Sequence, residues 1–169
     1  MKSLRPFVFA AALLIAASAS SAAETSVQSV PDADLQAMLR KYADAATLFY
    51  NGRAEAVKAL WSHSDDVTLS GAAGGATAKG WSEVSSRLDW ASSQFLDANG
   101  TKRIEQVQTA VSGELAYIVQ YEHIRYRRPG YPEGAQRDYR VTTIFRREPE
   151  GWRVVHRHAD TLMQRQDIR

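Results

Sequence analysis

The chain has no cysteine, so no disulfide can hold it and the fold rests on its core alone. No apolar run is long enough to cross a bilayer comfortably, which takes about 20 residues. The most apolar stretch, Phe7 to Ala17, follows Lys2 and Arg5 and precedes the small residues Ser21-Ala22-Ala23. It reads as a secretory signal over residues 1–23, cleaved after Ala23. A twin-arginine pair is missing and no cysteine follows the run, so neither folded export nor a lipid anchor is expected. The expected mature protein is periplasmic or secreted, with no membrane attachment once the signal is cleaved.

Net charge is scarce too. The formal charge is +2, and Lys2 and Arg5 leave with the signal while no acid does, so the mature chain is near neutral. That does not support a phosphate-driven partner, and no nucleic acid is expected. The loop Gly71-Ala72-Ala73-Gly74-Gly75-Ala76 lacks the Gly-Lys-Ser/Thr ending and strand-to-helix setting of a P-loop, and it does not match the dinucleotide glycine pattern. It reads as a flexible bend at the mouth of an opening. There is no internal repeat and no long low-complexity linker. The residues after the signal suffice for one domain that buries roughly 70% of its unfolded surface.

What is present falls into two halves. After a flexible polar lead over residues 24–31, Pro31-Asp32 opens a helix in which Leu35, Met38, Leu39, Tyr42, Ala46 and Phe49 recur at helical spacing, and Asn51-Gly52 closes it. A shorter helix is expected through Ala54, Val57, Leu60 and Trp61, then a strand from Val67 to Ser70. A third helix enters at Lys79-Gly80, buries Trp81, Val84, Leu88, Ala91 and Phe95, and ends at Asn99-Gly100. Trp90 falls off that stripe, where it covers a pocket rim or meets a partner chain. The second half reads as strands: Arg103 to Val111, Leu115 to Arg128, Asp138 to Arg147, and Trp152 to about Met163, with a loop over residues 129–134. The domain is assigned to residues 32–163 and a polar tail to residues 164–169. Helices first and an antiparallel meander last give an α+β domain with a curved sheet wrapped around helices.

In the last strand, unbroken alternation puts Trp152, Val154, His156, His158 and Asp160 on one face and Arg153, Val155, Arg157 and Ala159 on the other. The first face is apolar at one end and titratable at the other, which suits a strand running from a core into a cavity. Histidine titrates near 6.5, so an imidazole beside a carboxylate can be poised for proton transfer. His158, His156 and Glu122 are the candidate catalytic residues. Arg140, Asp160, Trp90 and Tyr42 are the candidate ligand contacts, with Arg140 suited to an acidic or carbonyl group. Two alternatives stay open. His123 could join His156, His158 and Asp160 around a metal, but its orientation is undecided because both faces of its strand are equally apolar. In the plainer reading His156 packs against the helices, His158 hydrogen-bonds to backbone or Glu122, and Arg140 pairs with Asp160. No metal and no cofactor is expected.

Ala59-Leu60-Trp61 followed by Asp65-Asp66-Val67-Thr68-Leu69, the Lys79-Gly80-Trp81 helix entry, Arg140-Val141-Thr142 before Phe145-Arg146-Arg147, and the closing Trp152 with His156 and His158 resemble the nuclear transport factor 2-like superfamily. Within it they are similar to the SnoaL-like and ketosteroid-isomerase-like group, over roughly Leu35 to Leu162. The resemblance implies a cone-shaped fold, three N-terminal helices packed on a curved antiparallel sheet, a homodimer formed through the sheet, and a small organic molecule held between helices and sheet. It does not name a reaction. The isomerases' base carboxylate matches about Gly71, their second acid about Thr143, and their tyrosine donor Tyr42 or Ala45. Both carboxyls are missing, so steroid Δ-isomerisation is not implied. The expectation is cofactor-independent acid/base chemistry of isomerase, dehydratase or hydrolase type, and the alternative is a non-catalytic homodimeric binding or interaction module.

Overall fold

In the computed structural model, which describes residues 32–95, 102–128, 130–161, 163–165 and 167, Asp32 caps the first helix. Its carboxylate accepts the Leu35 backbone N–H at 2.8 Å and pairs with Arg147. That backbone hydrogen bond, with help from Arg147, holds the carboxyl below its usual range. Helix α1 (Ala33–Phe49) buries Leu35, Met38, Tyr42 and Ala45 on one face. Past Tyr50 the chain turns through Gly52 at φ +80°, as the Asn51-Gly52 pair predicts. The expected signal, the lead and the Asn99-Gly100 helix stop lie outside the described residues.

Helix α2 (Glu55–Lys58) is a single turn. It does not run to Trp61 as expected, because backbone pairing to the last strand takes over there: Val154 donates to the Leu60 carbonyl and Ser62 to the Val154 carbonyl, both at 2.9 Å. Strand β1 (Thr68–Ser70) and a two-residue strand β2 (Ala78–Lys79) enclose the glycine loop, so helix α3 (Trp81–Ser92) follows two strands and does not sit in one N-terminal helical block. It stops at Ser92, short of the expected end. There the Ser92 and Ser93 hydroxyls donate to the carbonyls of Asp89 and Trp90 and compete with further helical bonding.

Strands β3 (Arg103–Ser112), β4 (Leu115–Arg128), β5 (Tyr131–Glu148) and β6 (Gly151–Asp160) form the meander. Residues expected as a loop from Tyr131 to Gly134 belong to β5, since Gly130 at φ +79° allows a tight hairpin and Arg128 pairs with Tyr131. β6 ends at Asp160 and does not continue to Met163. The sheet order is β2-β1-β6-β5-β4-β3, and β1 lies parallel to β6 while the other neighbours are antiparallel. The helices cover the inner face over a core that includes Leu35, Trp61, Val67, Val84, Phe145 and Val154. A second cluster, Tyr50, Phe95, Ile124 and Tyr126, closes the far end of the same face.

One irregularity decides which side chains look inward. Phe145 pairs with Val154 but Ile144 pairs with His156, so Val155 is an extra residue, a β-bulge. A one-residue insertion reverses the alternation beyond it. Val141, Thr143 and Phe145 of β5 are fully buried on the inner face, and their partners Ala159, Arg157 and Val154 share that face. The expectation that His156, His158 and Asp160 share the face of Trp152 and Val154 is therefore corrected: these residues lie on the outer face, and Arg157 and Ala159 turn inward.

Candidate functional site

Between the helices and the inner face of the sheet lies a cavity of about 260 Å³. Its walls are mainly apolar. α1 contributes Ala46 and Phe49, the following segment Val57 and Trp61, α3 Leu88 and Ala91, and the chain beyond it Phe95. Gly71, Ala72 and Ala73 border it as well, in agreement with a small-residue bend beside an opening. Trp90, 47% exposed, stands at the rim with the Arg87 guanidinium 5.6 Å from its ring centre. Arg87 also donates to the Ala76 carbonyl at 3.0 Å, tying α3 to the glycine loop.

The sheet end of the cavity is polar. On β4, Ala116, Ile118, Gln120, Glu122, Ile124 and Tyr126 are buried, so this set faces inward and Tyr121, His123, Arg125 and Arg127 face outward. Glu122 sits there with 4% of its side chain exposed. One carboxylate oxygen accepts the Tyr50 hydroxyl at 2.5 Å and the Arg157 guanidinium at 3.0 Å. The other accepts the Gln120 amide at 2.8 Å. A buried carboxylate survives without water only when donors surround it in this way.

Arg157 is the partner that makes the arrangement possible. Burial is the largest single influence and works against its charge, but Glu122 and the surrounding tyrosines together outweigh it and raise the guanidinium's pKa. Tyr42, Tyr50 and Tyr139 line the same end. Burial pushes Tyr42 up against the opposing Arg157 charge, burial reinforced by the Glu122 charge pushes Tyr50 well up, and burial together with the neighbouring Tyr126 pushes Tyr139 up to about 12. All three are neutral phenols at physiological pH, able to donate. The rim adds Arg137, whose Nε donates to the Tyr126 hydroxyl at 3.4 Å.

Of the residues singled out in the sequence, Tyr42, Trp90 and Glu122 line this cavity and His156, His158, Arg140 and Asp160 do not. His156 Nδ1 lies 2.8 Å from the Thr68 hydroxyl. Burial, then the nearby His158, lower its pKa. Arg140 and Asp160 form a two-pronged ion pair at 3.1 and 3.2 Å. His123 meets Asp138 at 2.7 Å on the outer face. Among the described residues no three His, Asp or Glu side chains converge on one point. The site residues that sequence reasoning missed are Arg157, Tyr50, Tyr139 and Gln120. Arg157 was hidden by the bulge. The β4 residues were legible in principle, because Arg125 and Arg127 share a face with His123 and mark it as the solvent side.

Residues 28–163 match the SnoaL-like domain family. The chain belongs to that family. Solved structures resembling this SnoaL-like domain include a ketosteroid isomerase-like protein from Erwinia carotovora atroseptica, 16% identical, covering 78% of this chain and 96% of that one with a TM-score of 0.64. A nuclear transport factor 2-like superfamily protein from Salmonella enterica serovar Typhimurium is 17% identical, with 78% and 91% covered and a TM-score of 0.63. A nuclear transport factor 2-like protein with a cystatin-like fold from Novosphingobium aromaticivorans is 23% identical, with 78% and 82% covered and a TM-score of 0.55. At these identities the likeness shows the fold. None of the curated proteins matches the chain. Of the positions that the resemblance set against the isomerases' two carboxyls, about Gly71 and about Thr143, Gly71 lies at the cavity wall and Thr143 is fully buried. The acid at the cavity is instead Glu122, on β4.

Proposed function

We propose that this SnoaL-like domain binds a small, largely apolar organic molecule in the cavity between its helices and sheet. The observation that carries the reading is an apolar cavity with a single buried polar end, the arrangement that orients a ligand by one head group. A cavity of about 150 Å³ accepts benzene, so about 260 Å³ suits one ring with a short side chain. Binding is favoured over imidazole chemistry by two features. The histidines of β6 face away from the cavity, and both Glu122 oxygens already hold donors, which leaves little room to take a substrate's proton. Any acid/base step in the cavity would fall to Glu122 and the tyrosines.

In the same reading the protein is exported by residues 1–23 and acts as a homodimer through the outer sheet face, where Val107, Leu115 and Tyr117 are exposed. The test is to fill the cavity from its rim. Single-ring ligands should raise the melting temperature of the native protein by mass action and leave an Ala91→Trp variant unmoved. Equal shifts in both proteins would place binding elsewhere and sink the reading.

A further inference from the structure

Hydrogen-bond capacity at the polar end is lopsided. A guanidinium has five N–H groups and no acceptor, and Arg157 donates to Glu122 through Nη2 alone. Its side chain keeps 17% of its surface accessible, and it lines the cavity. Tyr139 lines the cavity as a neutral phenol, and Tyr42 is a second neutral phenol, set beside Arg157 and Thr143. The opposite capacity is nearly used up, since Glu122 already takes Tyr50, Arg157 and Gln120. Charge points the same way: Arg87, Arg137 and Arg157 line the cavity, and Glu122 is the acid among its lining residues. An ammonium or other donor-only head would meet surplus cations and an engaged carboxylate. A head with acceptors and a negative charge would meet open donors in a site shielded from water, where such bonds are strongest.

We propose that the ligand is a small carboxylate with an apolar body, its head group seated against Arg157, Tyr42 and Tyr139 and its body along Phe49, Leu88 and Phe95. This rests on the ligand-binding reading above and names the chemical class of that ligand. Glu122 serves as a positioning residue: by fixing one edge of the Arg157 guanidinium it directs the remaining N–H groups into the cavity. The selectivity is for charge and acceptor count, while shape is set by the aromatic walls.

Four compounds of one shape separate the possibilities when titrated calorimetrically into the full chain: hydrocinnamate, hydrocinnamide, phenylpropylamine and propylbenzene. Hydrocinnamate should bind tighter than the amide by roughly tenfold or more, and the amine should be weakest. Tyr139→Phe should weaken hydrocinnamate several-fold and leave propylbenzene unchanged. Because Arg157→Gln alone would strand Glu122, the preference is also tested in the double variant Glu122→Gln with Arg157→Gln, which should bind acid and amide alike. If propylbenzene binds but the acid has no advantage over amide or amine, the carboxylate assignment falls and the cavity reading stands. If none of the four binds at millimolar concentration, both fall.

Discussion

The two faces of the sheet carry ion pairs of nearly equal length and unequal meaning. Inside, Arg157 and Glu122 meet at 3.0 Å with 17% and 4% of their side chains exposed. Outside, Arg140 and Asp160 meet at 3.1 Å with 53% and 26% exposed. The outer pair is solvated whether or not it forms, so little is lost when it breaks. The inner pair has given up its water, and each partner depends on the other. Distance alone does not reveal a site; burial beside an open cavity does.

The buried pair is the side of this contrast on which stability depends. Arg157→Met should cost about 3–5 kcal/mol by stranding the Glu122 carboxylate, read as a lower urea midpoint. Tyr50→Phe removes one donor to that carboxylate and should cost roughly 1.5–3 kcal/mol. On the other face Arg140→Ala should cost about 0–1 kcal/mol; a loss as large as that of Arg157→Met would erase the contrast between the faces.

The smallest effect is a pH dependence on the outer face. The folded state lowers the His156 pKa below its unfolded value near 6.5, so the unfolded chain takes the proton first. Stability from this group is complete above about pH 6.5 and is lost as the pH falls toward the lowered folded value. Unfolding free energy measured between pH 7 and 5 should fall, and His156→Gln should flatten that part of the curve.

Local chemistry explains what could be read from the chain beforehand. The Asp32 cap, the Asn51-Gly52 stop and the bounds of β4 each depend on neighbouring residues and were legible. Strand β2 was not, since two residues carry no periodicity. The parallel pairing of β1 with β6 joins distant segments and leaves no local mark. Tyr42, Trp90 and Glu122 were singled out and line the cavity. Arg157 was read onto the wrong face because a bulge adds a residue without changing composition. The adjacent apolar residues Val154 and Val155 were its sole trace. Buried tyrosines such as Tyr50 look like ordinary core residues until a carboxylate is found opposite them.

The Thr68 hydroxyl meets His156 across 88 residues of chain, and β6 also lies between β1 and β5 in the sheet. The early segments around Trp61 and β1 thus have no seat until the end of the meander arrives. Closing so long a span makes this a late and slow event in self-assembly. A chain cut before β6 would leave β5 as an open, unpaired margin, ready to recruit other molecules into aggregates.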